Sequence, residues 1–495
     1  MKKYLLLAGM FSFAQAISFA AATPAAAAAK PNIVFILSDD IGYGDVGCYG
    51  ATKVRTPHVD RLAREGLRFT DAHATGSVCT PTRYAFITGR YAWRQAGTGI
   101  APGNATLLIK PTTPTVASVL RSAGYATGLV GKWHLGLGET TPDFNRDLNP
   151  GPLELGFDSA FFIPATGDRT PCVFVEDHRV VGLDPADPIA VSYGTRIGTA
   201  PTGLERPDLL KIKADPNHSQ TIVNGISRIG YMTGGEKARW VDEDIADTLT
   251  KRAVAFIEKQ KAGRPFFLYL APHDIHEPMV PHPRFRGTSE CGWRGDVIHQ
   301  LDWTVGEVLA ALDRRGFAKD TLVIFSSDNG GAIKQTYDDG TNALHARQPP
   351  NGVLRGQKGQ LYEGGHRVPF IARWPARIAA GKESAALLGL VDLLPTFATL
   401  AAQPLPAGAA PDAVDISAAL LGAPGAKGRD SLVLQNNGQA PLAVRAGNWK
   451  LVQKPNGASE LYDLAADLAE TKNLAAAEPA RVKALTAQLA AERAR

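Results

Sequence analysis

The sequence predicts an α/β protein: a large, mainly parallel or mixed sheet flanked by helices, followed by a smaller antiparallel sheet with one helix. Three observations carry this. Short unbroken apolar runs recur along the earlier part of the 495-residue chain, helix-period stretches separate them, and after residue 402 an Ala-, Pro- and Gly-rich stretch precedes further strand-like segments. With 44% hydrophobic and 8% aromatic residues, the chain can bury one large core and a smaller companion.

Taken in order, the chain opens with Lys2 and Lys3, an apolar run from Tyr4 to Phe13 and an alanine-rich stretch offering small-x-small cleavage sites before Lys30. Residues 1–29 read as a secretory signal peptide, which implies export to the periplasm or beyond the cell. The apolar stretch falls short of the roughly 20 residues of a membrane span. Strands are expected at 32–37 (NIVFIL), 126–130 (ATGLV), 266–270 (FFLYL) and 321–325 (TLVIF). Each is apolar throughout rather than alternating, as suits a parallel sheet covered on both faces. Helices are expected at 116–123, 242–259 and 297–314, the last repeating apolar residues at Ile298, Leu301, Val305, Val308, Leu309 and Leu312. Residues 30–402 form the main domain and 403–495 a C-terminal subdomain. Within the latter, 403–428 reads as a linker or excursion, 431–434, 442–445 and 449–453 as strands, and 478–495 as a helix.

The formal charge of +5 falls to +3 without Lys2 and Lys3, and its signs are interspersed, so nucleic acid is not an expected partner. The four cysteines (Cys48, Cys79, Cys172, Cys291) form no C-x-x-C pair, which argues against a structural zinc site and a disulfide-dense scaffold. One disulfide, Cys172 to Cys291, stays open.

Each predicted strand is followed by polar residues: Asp39 and Asp40, Lys132 and His134, His273 and His276, then Asp328 and Asn329. Ligands of open α/β sheets bind beyond the carboxyl ends of the strands. Turn formation explains each pair separately but not all four together. Adjacent carboxylates repel, and several of them at one buried rim call for a cation. All-oxygen ligation points to calcium, or magnesium, rather than zinc. His273, His276 and His282 lack both an H-E-x-x-H pattern and a cysteine partner.

In Ser77-Val78-Cys79-Thr80-Pro81-Thr82-Arg83, Pro81 suits the first turn of a helix, which places Cys79 at a helix entrance that favours an anion. Arg83 follows one helical turn later. A lone cysteine beside an arginine is a weak signal; its coincidence with the metal-like rim strengthens it.

Cys79-x-Pro81-x-Arg83 followed by Thr88-Gly89-Arg90 resembles the signature of type I, formylglycine-dependent sulfatases of the alkaline phosphatase superfamily. Further segments agree in order: Asp39-Asp40 with Gly42-Tyr43-Gly44-Asp45, Gly131 to Gly136, Ser327 to Gly330, Arg355 to Gly359, Tyr362 to Gly365, Arg367-Val368-Pro369, Asn448 to Leu451 and Glu460 to Leu464. The similarity covers residues 31–474.

The resemblance implies a sulfate-ester hydrolase acting on a sulfated glycan or oligosaccharide. Asp39, Asp40, Asp328, Asn329 and modified residue 79 would hold calcium. A maturation enzyme would oxidise Cys79 to formylglycine (3-oxoalanine), whose hydrate is the nucleophile. Lys132 and Lys358 would neutralise the sulfuryl oxygens and Arg83 would hold the hydrate. His134 would contact residue 79. His276, in His276-Glu277-Pro278, would protonate the leaving alcohol, with His273 as runner-up.

Thr82 departs from the serine often found after the signature proline, and processing is expected to survive it. Loops 167–187 and 335–350 carry no general motif and are expected to line the substrate pocket, with Asp168, Arg169, His178 and His345 as candidates for recognising hydroxyl or carboxylate groups. A phosphonate monoester or phosphodiester hydrolase of the same superfamily, and an inactive sulfated-glycan binder, are the competing functions.

Overall fold

The computed structural model describes Met1, residues 30–344 and residues 347–495. The leader expected over residues 1–29, Met1 apart, and His345 therefore lie outside the described residues.

The four apolar runs form adjacent, mutually parallel strands in the order Thr321–Ser327, Asn32–Ser38, Phe266–Ala271, Ala126–Lys132, with Val34 opposite both Val323 and Leu268. Ser159–Ile163 extends the parallel set beyond Ala126–Lys132. The flanks are mixed: Phe370–Arg373 runs antiparallel to Thr321–Ser327, Leu67–Phe69 antiparallel to that, and Lys382–Ser384, Val175–Glu176 and Arg179–Val180 complete ten strands. These flanking strands escaped the sequence because they are short and partly polar, which leaves too little pattern to read.

Neighbouring residues of one strand point to opposite faces, so Phe266 and Phe267 identify the two helical layers. Phe266 meets Phe256 of the helix Ile245–Glu258, whereas Phe267 meets Phe397 of the helix Leu393–Leu400. Tyr269, on the Phe267 side, meets Phe86 of the helix Cys79–Thr88. That second face therefore carries the cysteine helix. The expected helix at 297–314 begins earlier, at Gly292, and packs beside Ile245–Glu258.

Beyond residue 430, Ser431–Gln435, Leu442–Ala446, Trp449–Gln453 and Ser459–Asp463 pair antiparallel in chain order, and the helix Pro479–Ala494 buries Leu485 and Leu489. Residues 403–428 are a packed excursion rather than a free linker. Ile416 and Leu420 are buried, and Asp412 accepts hydrogen bonds from Tyr91 N (2.8 Å) and Arg94 Nε (2.9 Å). Composition had reported missing periodicity, which does not exclude packing. The disulfide left open by the sequence is absent: all four cysteines are free thiols. No helix among the described residues is long and apolar enough to cross a membrane.

Candidate active site

Because four neighbouring strands run the same way, their carboxyl ends form one rim. Asp39 and Asp40 leave the central strand, and Asp328 and Asn329 leave the next. The Asp40 N–H donates to Asp328 Oδ1 (3.3 Å) and Asn329 Nδ2 donates to Asp40 Oδ1 (2.7 Å). Asp40 and His134 hold φ values of 61° and 55°, a left-handed backbone that costs energy outside glycine and clusters at functional sites. Gly131, at φ 115°, is required there: a Cβ would lie 1.9 Å from the Ala271 carbonyl oxygen.

Cys79 begins a fully buried helix that ends at Thr88, with Val78 extended before it and Pro81 in its first turn. The cysteine Sγ lies 3.2 Å from His134 Nδ1. His134 Nε2 contacts the Ala101 carbonyl at 2.8 Å, and a carbonyl only accepts. The proton therefore sits on Nε2, leaving Nδ1 as the acceptor toward residue 79. Burial, with Lys132 and Arg169 nearby, pushes the His134 pKa well below its ordinary value and keeps the ring neutral.

Three buried carboxylates face three cations. Lys132 Nζ is 2.6 Å from Asp39 Oδ2, Lys358 Nζ 2.7 Å from Asp40 Oδ2, and Arg83 Nη2 2.8 Å from Asp328 Oδ2. Arg83 also donates to the Lys132 carbonyl (3.2 Å) and to the Tyr269 hydroxyl (3.1 Å). Sequence reasoning passed over Tyr269, although a single hydroxyl within the run FFLYL was its available signal. Burial raises the Asp40 carboxyl, but Lys358, His276 and Lys132 outweigh it and hold it below the usual range. Burial and the Asp39 charge take Asp328 the other way, up to about 6, despite Arg83.

Asp39 Oδ1 and Asn329 Oδ1 are buried without a hydrogen-bond partner. Orphaned buried oxygens are costly, and these two adjoin Asp40 and Asp328 in an oxygen-rich donor set that suits a hard divalent cation. Since three carboxylates and three cations cancel, such an ion would leave the site at a charge of about +2, matched to an anionic substrate.

The two rim histidines both contact backbone. His276 Nδ1 donates to the Glu277 carbonyl (2.6 Å), and its Nε2 lone pair faces Asp40 Oδ2 at 3.9 Å. His273 Nε2 accepts from the Gly167 N–H (2.8 Å). Burial, aided by Lys358 for His276 and by His276 for His273, lowers both to about 3. His276 can also join Asp39 and Asp40 around one point, their ligand atoms all lying within 4.8 Å of one another. His282 lies apart, capping a short helical turn through Arg284 N.

The loops expected to line the substrate pocket divide. Asp168 is buried and binds Arg169 Nη1 at 2.7 Å, and Arg169 is close enough to Cys79 and His134 for its charge to bear on both. His218, which the sequence reading missed, places Nε2 3.5 Å from Asp168 Oδ2 and Nδ1 2.7 Å from Asp215 Oδ1. Only chain folding brings it to residue 168. Glu277 accepts from Thr336 N (2.7 Å) and Thr336 Oγ1 (2.6 Å), drawing the start of the 335–350 loop to the histidine pair. His178 is not brought in. Strand Val175–Glu176 runs antiparallel to Ser159–Ile163 and carries it back to that strand's amino end, where it meets Glu154 at 2.9 Å.

The chain as a whole is similar to known proteins. The family model described as Sulfatase matches residues 31–403. The chain is 48% identical over 473 residues to an N-acetylgalactosamine-6-O-sulfatase of Bacteroides thetaiotaomicron, covering 92% of each chain. It is 36% identical over 444 residues to human arylsulfatase A, covering 88% of this chain and 77% of that one. A solved structure described under the metabolism of multiple glycosaminoglycans by Bacteroides thetaiotaomicron superposes with a TM-score of 0.91 at 47% identity, covering 94% of this chain and all of the other.

Proposed function

The chain belongs to the sulfatase family and is a sulfuric ester hydrolase, and from that premise we propose that it is an exported enzyme releasing sulfate from 6-O-sulfated N-acetylgalactosamine in glycosaminoglycan-type oligosaccharides. One observation carries the mechanism: the residue-79 side chain stands at a buried helix entrance, 3.2 Å from an accepting histidine nitrogen, within a ring of fixed cations. The similarity to an N-acetylgalactosamine-6-O-sulfatase supports the substrate class.

Oxidation of Cys79 to formylglycine by a maturation enzyme would supply a hydrated aldehyde as the nucleophile. Calcium held by Asp39, Asp40, Asp328, Asn329 and residue 79 would lower the proton affinity of that hydroxyl and neutralise sulfuryl oxygen. The protein's own residues then have distinct tasks. Lys132, fully buried, and Lys358, whose side chain is 19% exposed, present ammonium groups to charge gathering on the sulfuryl oxygens, in a pocket where water screens them weakly. Arg83, fixed by Asp328 and Tyr269, orients residue 79 from the next helical turn. His134 Nδ1 accepts a proton from residue 79 because its Nε2–H is committed to Ala101.

His276 protonates the leaving alcohol. Burial and the Lys358 charge hold its pKa down to about 3; Asp40, Asp168 and the negative charge of an incoming sulfate ester act the other way, toward the imidazolium that can give up a proton. Asp168 and Arg169 recognise sugar hydroxyls.

The test uses protein whose residue 79 has been identified by mass spectrometry as formylglycine. It is offered the 6-sulfates of N-acetylgalactosamine and N-acetylglucosamine, a phosphonate monoester and a phosphodiester. Fastest turnover is expected on the first. Preference for the phosphorus esters would overturn the sulfatase mechanism, and binding without sulfate release would make the protein a glycan receptor.

A further inference from the structure

Behind the rim lies a second cluster of ionisable groups, between the main sheet and the C-terminal sheet. His73, Glu363, His366, Lys450 and Glu470 are fully buried, and Arg367 and Arg445 are 4% exposed. His73, Glu363 and His366 could together hold a metal ion. Lys450 of strand Trp449–Gln453 takes that place, its Nζ lying 2.9 Å from Glu363 Oε1, 2.9 Å from His366 Nε2 and 2.8 Å from Glu470 Oε1.

The donor rules fix the rest of the chain. A carboxylate only accepts, so His73 carries its proton on Nε2 and its Nδ1 accepts from His366 Nδ1–H at 3.0 Å; His366 Nε2 then accepts from the shorter Lys450 contact, and its 3.2 Å approach to the Leu361 carbonyl carries no proton. His73 Nε2–H then points to Asp71 Oδ1 at 2.8 Å, and Asp71 also meets Arg367 (2.9 Å) and Arg445 (2.8 Å). Lys450, Arg367 and Arg445 thus balance Glu363, Glu470 and Asp71.

The cluster touches three segments that build the site. The His366 carbonyl accepts from Ala74 N (2.9 Å), at the start of the loop that leads to Cys79. The Gly365 carbonyl accepts from Gly330 N (2.9 Å), next to Asn329, and a Cβ on Gly330 would lie 1.9 Å from the Gly364 oxygen, so the fit is close. Gly364 N donates to Arg355 O (2.7 Å), and the 355–359 stretch returns through Gly359 N to Ser77 O (2.7 Å), placing Lys358. The C-terminal sheet also pairs directly with the cysteine loop: Gln435 N donates to Thr75 O and Ser77 N to Gln435 O, each at 2.9 Å.

We propose that Lys450 is a positioning residue of the active site, its ammonium acting as the resident cation that holds the Glu363–His366 turn, and through it Asn329, Lys358 and the loop before Cys79, in register for catalysis. This rests on the reading that Asn329, Lys358 and Cys79 belong to the active site. Removing one partner of a buried ion cluster leaves uncompensated charge, and a shift of about 1 Å remote from the chemistry costs on the order of a hundredfold in rate.

The experiment compares full-length wild type, Lys450→Met, Glu470→Gln and the double variant, with kcat normalised to the formylglycine content of residue 79 and each protein assayed well below its melting temperature. Lys450→Met is expected to lower kcat at least about tenfold, to change KM by less than about threefold and to raise the calcium needed for half-activation. The double variant, whose charges balance again, is expected to recover part of the kcat. A folded Lys450→Met with kcat within about twofold of wild type would reduce the residue to a structural one and overturn the proposal, whatever its melting temperature. If Lys450→Met gives no folded protein, Glu470→Gln decides on the same kcat criterion. Wild type that carries formylglycine yet releases no sulfate would overturn the underlying reading as well, whereas active wild type beside an unaffected variant overturns this proposal alone.

Discussion

Thr82 grips the peptide unit of Gly76 from both sides: its Oγ1 accepts from the Gly76 N–H at 3.1 Å and donates to the Gly76 carbonyl at 3.0 Å. The signature position that departs from serine therefore closes the loop that delivers Cys79. Thr82→Ser keeps the hydroxyl and should change stability by less than about 0.5 kcal/mol. Thr82→Val keeps the shape but strands two buried backbone groups, at about 1–3 kcal/mol, and should slow turnover. Denaturant unfolding of both variants, with activity in parallel, measures the difference; a valine variant as stable as wild type would remove Thr82 from this role.

Cys79→Ala should abolish sulfate release while moving the melting temperature by no more than about 3 °C, since the thiol's one side-chain hydrogen bond among the described residues is to His134. Calorimetry and a sulfate-release assay on one preparation suffice. Residual turnover near the wild-type rate would rule out residue 79 as the nucleophile.

Chelation of divalent ions should lower both activity and melting temperature, and calcium should restore both. An ion held only by the folded arrangement of Asp39, Asp40, Asp328 and Asn329 would couple binding to folding, so free calcium at about 100 times its dissociation constant should add about 2.7 kcal/mol of stability. An unchanged melting temperature after rigorous chelation would argue against a cation at the orphaned oxygens of Asp39 and Asn329.

Burial alone would lower the His218 pKa, but Asp168 and Asp215 facing its two nitrogens raise it above 6.5. A histidine with a raised folded pKa contributes stability that is present in full below its unfolded value and is lost as pH climbs through the folded one. His218→Gln should therefore cost more stability at about pH 5.5 than at about pH 9. Equal losses at both values, from urea unfolding, would show that His218 is not held as an imidazolium.

Much of this was legible along the chain because it is local. Asn32–Ser38 and Thr321–Ser327 are recognisable from unbroken apolar runs, and Cys79, Pro81 and Arg83 carry their spacing within one helical turn. Strand Ser459–Asp463 was not legible as a strand, since its alternating residues cover a small subdomain and give a weak period. His178 misled because a polar loop residue looks the same whichever end of the sheet receives it, and antiparallel pairing of Val175–Glu176 sends it to the far end.

The sequence by itself determined the α/β class, the polar pairs at four strand ends and the cysteine at a helix entrance, since all follow from near-neighbour periodicity and capping. Only the tertiary structure decided which charges meet: Lys132 with Asp39, Lys358 with Asp40, Arg83 with Asp328, and Lys450 with Glu363, His366 and Glu470. These partners lie far apart in the chain, and burial makes each pairing obligatory without leaving a local pattern, because the cost of an unpaired buried charge is felt only once the sheets have packed.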